Sequence, residues 1–198
     1  MKVSLLIARA AMVYGDTEYT AIAAEQWLNW LNEAEKEIVK KDPTANADTE
    51  AALLVAGSLQ TLAADTVSLM DVSCNLGATG TTVGQAVRFV SAKELDAFSP
   101  SWRAATAAAT VEEYMYDPNK PFEYEVNPPS TGAVYVRLTR AKTPVDLTST
   151  NDSINLADQY APAIINWMLH RVFSIDSMAS GAMAKSDSYL TKFEAFFV

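Results

Sequence analysis

Apolar side chains recur at helical spacing near both ends of the chain and alternate with polar ones in between. Val3, Leu6, Ile7, Ala10 and Val13 fall on one face of a helix over residues 2–13, which Gly15-Asp16 ends. A second helix is expected over about 20–41, capped by the hydroxyl of Thr17 or Thr20. Trp27, Leu28, Leu31, Ala34 and Ile38 form its apolar stripe; Glu33–Lys36, Glu37–Lys40 and Glu37–Lys41 form weak supporting pairs, and Asp42-Pro43 stops it.

The period then shortens. Residues 53–62 read as a hairpin turning at Gly57-Ser58. A strand follows from Val67 to Leu76, with Val67 and Leu69 on one face and Met70 and Val72 on the other. The Gly-rich segment 77–84 makes a flexible turn, and Ala86 to Val90 returns as a strand. Ser91 opens a short helix with Glu94 at the capping-box position, Ser99-Pro100 ends it, and residues 101–111 form a loop. Strands are expected at 112–117, 121–127 and 133–141, with turn chemistry at Asn127-Pro128-Pro129-Ser130 and Thr131-Gly132. After a polar connection over 142–154, Pro162 sits in the first turns of a long helix, about 158–177. A last helix covers about 180–196.

Helices flanking a block of strands imply an α+β fold. The expected arrangement is one domain over 1–198: a bundle of N- and C-terminal helices, about 2–41 and 155–198, with an inserted antiparallel β-sheet lobe over about 51–141. A chain of 198 residues, 49% apolar and 20% charged, buries enough surface to need no disulfide or metal. Cys74 is the sole cysteine and reads as a small side chain half-buried in a strand of a protein folded in a reducing compartment. Arg9 interrupts the apolar run after Lys2 too early for a signal peptide, and no run is long enough to span a membrane.

Charge changes the picture further. The net charge is −9, and residues 16–50 carry nine acids against three lysines. No basic cluster appears along the chain, so neutralising nucleic-acid phosphates is not its expected work; an acidic wall that repels DNA, and so lets it slide past, stays open as a reading.

Candidate catalytic groups are few. His170, the sole histidine, has Asn166 and Ser174 one turn away, neither a usual metal ligand, and reads as a surface or half-buried polar contact. No serine sits in a nucleophile elbow, and no family signature flanks Cys74. Residues 77–84 lack the Gly-Lys-Ser/Thr ending of a phosphate loop. The carboxylate pairs Glu112-Glu113, Glu123 with Glu125, and Asp65 with Asp71 read as solvated strand faces. No catalytic residue, cofactor site or metal site is assigned. Less ordinary is the apolar end of the chain, Tyr189, Leu190, Phe193, Phe196, Phe197 and Val198, which either packs into its own bundle or docks as a helix in a partner's groove.

An ordered set of strings resembles the head-to-tail adaptor (connector) family of tailed bacteriophages, as in short-tailed phages. It begins with Trp27-Leu28-Asn29-Trp30-Leu31-Asn32-Glu33-Ala34-Glu35-Lys36-Glu37-Ile38-Val39, then Ala56-Gly57-Ser58-Leu59-Gln60-Thr61-Leu62 and Ala64-Asp65. Leu69-Met70-Asp71-Val72, Asn75-Leu76-Gly77-Ala78 and Gly84-Gln85-Ala86-Val87-Arg88 continue it, as do Trp102, Tyr116-Asp117 and Pro128-Pro129. Asp158-Gln159-Tyr160-Ala161-Pro162-Ala163 and Phe173-Ser174 close it, so the resemblance spans about 3–195. Ala63 stands where proline is expected, and residues 20–25 lack the usual tryptophan-serine-acid opening.

The resemblance implies a structural virion protein, not an enzyme. It implies a homo-oligomeric ring, typically a dodecamer, at the head–tail junction between the portal and a tail or nozzle protein. DNA would pass through the lumen without specific binding, and subunits would occupy the host cytoplasm before assembly. Phe193, Phe196, Phe197 and Val198 are the expected portal interface, and removal of everything after Lys192 is expected to leave a folded protein that no longer joins the portal. Glu33 and Glu37 are the expected channel or subunit interface. The alternatives are another virion ring protein such as a tail completion subunit, a cytoplasmic α+β enzyme using carboxylates, or a monomeric binding module.

Overall fold

A computed structural model describes residues 1–176 and 181–198. Its contacts divide the chain into two compact units, Met1–Asn46 with Thr143–Val198, and Ala47–Lys142. The first is helical; the second holds the strands and one short helix, so the fold is α+β.

In the helical unit, α1 (Val3–Tyr14) buries Val3, Leu6, Ile7, Ala10 and Ala11. Val13, expected on the same stripe, is 54% exposed. Gly15 closes the helix with φ 94°, donating its N–H to the Ala11 carbonyl at 2.8 Å. The next link is made by Asp16. Its buried carboxylate accepts the amides of Thr20 (2.8 Å), Ala21 (3.1 Å) and Ile22 (2.9 Å). Those amides are thereby committed to a turn, so α2 starts at Ala24 rather than about 20, and neither Thr17 nor Thr20 caps it. The hydrogen bonds hold the Asp16 carboxyl below the usual carboxylate range, the Ile22 amide foremost.

Helix α2 (Ala24–Lys41) buries Trp27, Leu28, Trp30, Leu31, Ala34, Ile38 and Val39, and Trp27 meets Trp30 edge-on at 5.3 Å. Of the expected pairs along it, Glu37–Lys40 forms. Lys36 instead reaches Asp146, Lys41 reaches Glu194 at 3.3 Å, and Glu33 holds Arg171 at 3.0 Å, so these charges join α2 to other segments. A 3-10 turn (Asp158–Tyr160) leads into α4 (Ala161–Ile175), which packs against α1, α2 and the last helix, α5 (Ala182–Glu194). The expected end of one helix at 177 and start of the other at 180 lie outside the described residues.

The sheet unit contains two sheets. One has the order β1 (Ala47–Leu53), β7 (Tyr135–Lys142), β3 (Thr66–Gly77), all antiparallel. The other runs β2 (Ala56–Thr61), β6 (Glu123–Thr131), β5 (Glu113–Tyr116), β4 (Arg88–Phe89), and its β4–β5 pair is parallel. The lobe therefore begins at 47, not 51, and is not purely antiparallel. The core joins Leu69, Val72, Val136 and Leu138 of the first sheet to Tyr114, Tyr124 and Val126 of the second.

Several local expectations are corrected. Residues 53–62 are not a hairpin: Leu53 ends a strand of one sheet and Ala56 starts a strand of the other. The buried Gln60 amide fixes this switch, accepting from Val55 N at 2.8 Å and donating to its carbonyl at 3.0 Å. In β3, Val67 and Leu69 do not share a clean alternating face, because twelve residues oppose the eight of β7 through four register shifts. Each bulge adds a residue, so buried positions fall every third place from Thr66 through Leu69 to Val72, beyond which Cys74, Asn75 and Leu76 are all buried.

The return strand at 86–90 is split. Ala86 bridges Cys74 of β3, after which Arg88 and Phe89 pair with β5. Asn127 to Ser130 do not turn but lie within β6, with a cis bond before Pro128. The turn comes at Gly132, φ 83°, where a Cβ would stand 2.9 Å from Ala56 N. Helix α3 (Ala92–Phe98) begins without a side-chain cap from Ser91, and the expected loop 101–111 contains a 3-10 turn at Trp102–Ala104.

Candidate interaction surfaces

The groups that chemistry would need are committed to structure. His170 Nδ1 lies 2.9 Å from Ser186 Oγ, which fastens α4 to α5. Cys74 is buried, at 7% exposure, rather than half-buried. Gly77 and Gly80 take positive φ as a turn requires, but Gly84 does not. No cluster of three or more potential metal-ligating side chains occurs among the described residues.

Three of the candidate acids, Asp65, Glu113 and Glu125, hold cations of their own unit. Arg140 is 5% exposed on β7 and donates to Glu50 (2.8 Å), Asp65 (2.6 Å) and the Thr66 hydroxyl (3.0 Å). Its hydrogen bond holds the Asp65 carboxyl below the usual range. Arg103 bridges Asp96 at 2.6 Å and both oxygens of Glu125 at 2.7 and 2.8 Å, lying 4.2 Å above the Trp102 ring. Glu113 pairs with Arg88 at 3.1 Å. Asp65, lowered in this way, stays ionised and is poorly placed to give up a proton near neutral pH. Glu35 differs, its carboxyl raised by burial, but it is wholly enclosed and accepts from Asn155 N (2.7 Å), Asn155 Nδ2 (2.6 Å) and Leu156 N (3.4 Å). It pins the segment before α4 onto α2.

The chain's apolar end divides into two parts. Phe193 is 1% exposed, in the helical unit's own core, with Trp167 at 5.0 Å and Phe197 at 5.3 Å. It is therefore unavailable as a contact, and cutting after Lys192 would remove a core side chain along with the tip. Beyond it, a 3-10 turn (Ala195–Phe197) presents Phe196, 39% exposed, half-buried Phe197, and Val198, fully exposed. Phe196 leans on Tyr160 at 5.9 Å. Tyr160 in turn donates to Asp42 at 2.6 Å, so the tip sits on a braced platform beside Lys41, Pro43 and Gln159.

The acidic candidates Glu33 and Glu37 remain half-buried on α2, each holding one cation of its own chain, Arg171 and Lys40. Sequence reasoning found Lys40 for Glu37 but missed Arg171 for Glu33, since Arg171 lies on another helix. It also missed Arg140 and Arg103, whose importance rests on strand pairing that brings distant acids together.

Among the described residues these groups act as braces within each unit or as exposed surface. The model of the SU10 adaptor protein family matches residues 1–197. The chain belongs to this family of phage head-to-tail adaptors. Among curated proteins, none matches. The SU10 adaptor match makes the chain a bacteriophage structural protein, and no helix among its described residues is long and apolar enough to cross a membrane.

Proposed function

We propose that this SU10 adaptor is a subunit of a homo-oligomeric ring, a dodecamer, that joins the portal to the tail or nozzle protein in the virion and forms part of the DNA channel. The observation that carries the reading is the family match over residues 1–197. The helical and sheet units act as one adaptor domain. Phe196, Phe197 and Val198 form the portal contact, with Phe193 anchoring them from beneath. A partly exposed aromatic tip on a fixed platform suits a docking role, because large aromatic area costs little conformational entropy to order. The acidic surface of α2, including Glu33 and Glu37, lines the channel or a subunit interface, where like charge keeps DNA from adhering. The role assigned is mechanical, with no catalytic step and no cofactor.

Mixing the purified chain with the portal of the same phage and imaging the product by electron microscopy tests this. A ring of this chain stacked on the portal is expected. Portals that stay bare beside unassembled subunits overturn the assignment.

A further inference from the structure

The cations of the helical unit divide by helix. Lys36, Lys40 and Lys41 of α2 and Arg171 of α4 each hold a carboxylate. Lys2 and Arg9 at α1 and Lys185 and Lys192 of α5 hold none among the described residues, although the Met1 ammonium pairs with Asp158. Lys2 donates to the Asn151 carbonyl at 2.7 Å, and Arg9 reaches only the Met1 sulfur at 4.0 Å. Lys185 lies 5.1 Å over the Phe173 ring and Lys192 4.6 Å over Tyr189.

These unpaired cations flank exposed apolar surface. Helix α1 contains no acid, and its outward Leu5, Met12 and Val13 are 53%, 65% and 54% exposed. With Arg9 they fall at i, i+4, i+7 and i+8, one stripe along the helix. Val13 continues it into a groove of about 330 Å³ walled by Phe173, Lys185, Tyr189 and Lys192. Scattered exposed apolar residues need no explanation, but a helix apolar on both faces belongs in an interior.

The same unit carries a groove of opposite sign. Glu25, Glu33 and Asp146 surround Leu28 and Leu147 in a space of about 440 Å³, with Lys36 as the lone cation of its lining. A ring closed by rotation needs two different, complementary faces on every subunit. We infer that the cationic apolar face of α1 and α5 on one copy seats against the acidic face formed by α2 and residues 146–148 on the next. The inference rests on the ring proposed above and names the two faces that close it. A net charge of −9 would otherwise set copies against one another, so cations left unpaired at home are the groups available to draw an acidic neighbour in.

The test is made on full-length protein assembled with the portal. Lys185→Cys combined with Glu25→Cys, in rings treated with a short bifunctional maleimide, should give a ladder of linked subunits on a denaturing gel; wild type, its cysteine buried, should give none. Lys185→Glu/Lys192→Glu should lower ring yield by about tenfold or more, and adding Glu25→Lys/Asp146→Lys to the same chain should restore it. Rings that form normally without the ladder overturn the inference while leaving the adaptor role intact. So do charge-reversed subunits that assemble fully but lose retention of DNA, which would assign the face to phosphate. Wild-type protein that forms no ring on the portal overturns the function reading itself, and the inference with it.

Discussion

Phe193 and the three residues at the chain end lie within six positions of one another, yet they should separate cleanly in experiment. Phe193→Ala removes a ring that is 1% exposed. An aromatic side chain buries roughly 150–250 Å², and leaving a methyl behind forfeits roughly 100–150 Å², which at about 25 cal/mol per Å² is about 3 kcal/mol. The edge contacts to Trp167 at 5.0 Å and Phe197 at 5.3 Å are lost as well. The total then moves toward the upper part of the range of about 3–5 kcal/mol for such a truncation. For a chain of this size, about 2–4 °C per kcal/mol, the melting temperature should fall by roughly 6–20 °C.

Deleting Phe196, Phe197 and Val198 removes two partly buried rings and one exposed side chain, and the conformational entropy that three residues regain, about 1–2 kcal/mol each, offsets much of the lost burial, so the cost should be smaller than that of Phe193→Ala. Thermal unfolding followed by circular dichroism measures both changes, and co-sedimentation with the portal measures docking. The shortened chain should melt closer to wild type than Phe193→Ala does and fail to sediment with the portal. A Phe193→Ala protein that melts within 2 °C of wild type would show that the described packing is not what holds the helix end. A shortened chain that still binds the portal would remove the tip from the interface.

Two further outcomes follow from buried polar groups. Glu35→Ala leaves the Asn155 and Leu156 amides without their acceptor and should cost about 2–4 kcal/mol by denaturant titration. Because burial raises the Glu35 carboxyl in the folded chain, the native state binds more protons than the unfolded one between the ordinary glutamate range and the raised value. Wild type should therefore lose stability there as pH rises, relative to Glu35→Gln, and parallel curves for the two would refute the sign. Asn75→Ala frees the Val111 amide and carbonyl (2.9 and 2.8 Å) and the Gln85 carbonyl (3.0 Å) inside the sheet unit, and should cost about 2–4 kcal/mol. Hydrogen exchange at Val111 should rise with it; unchanged protection there would refute the role.

Helices were legible where periodicity alone decides them. The stripe of α2 reappears because a long amphipathic pattern has one way to bury its apolar side. Strands were legible as segments but not as partners. Nothing in Leu53 to Leu62 says that the chain leaves one sheet for another across two residues, because the decision is made by Gln60 bonding back to Val55. Nothing in the alternation of β3 announces four bulges, which exist only against the shorter β7. The expected turn at Pro128-Pro129 failed for a related reason, since prolines ordinarily excluded from strands are carried within β6.

The surfaces were less legible than the fold. The acidic run of α2 is visible as a run, whereas Arg9 and the pair Lys185 and Lys192 are about 175 residues apart and show no cluster in one dimension. They become one face only when α4 holds α1 and α5 against it. The apolar chain end posed the reverse problem. Phe193, Phe196 and Phe197 look alike in sequence, and only the geometry divides them, Phe193 into the core and Phe196 toward solvent. Residues three apart fall on about the same side in an α-helix and in the 3-10 turn at Ala195–Phe197 alike, so periodicity cannot divide Phe193 from Phe196; their neighbours do, Trp167 enclosing the first while the second has Tyr160 on one side and solvent on the other.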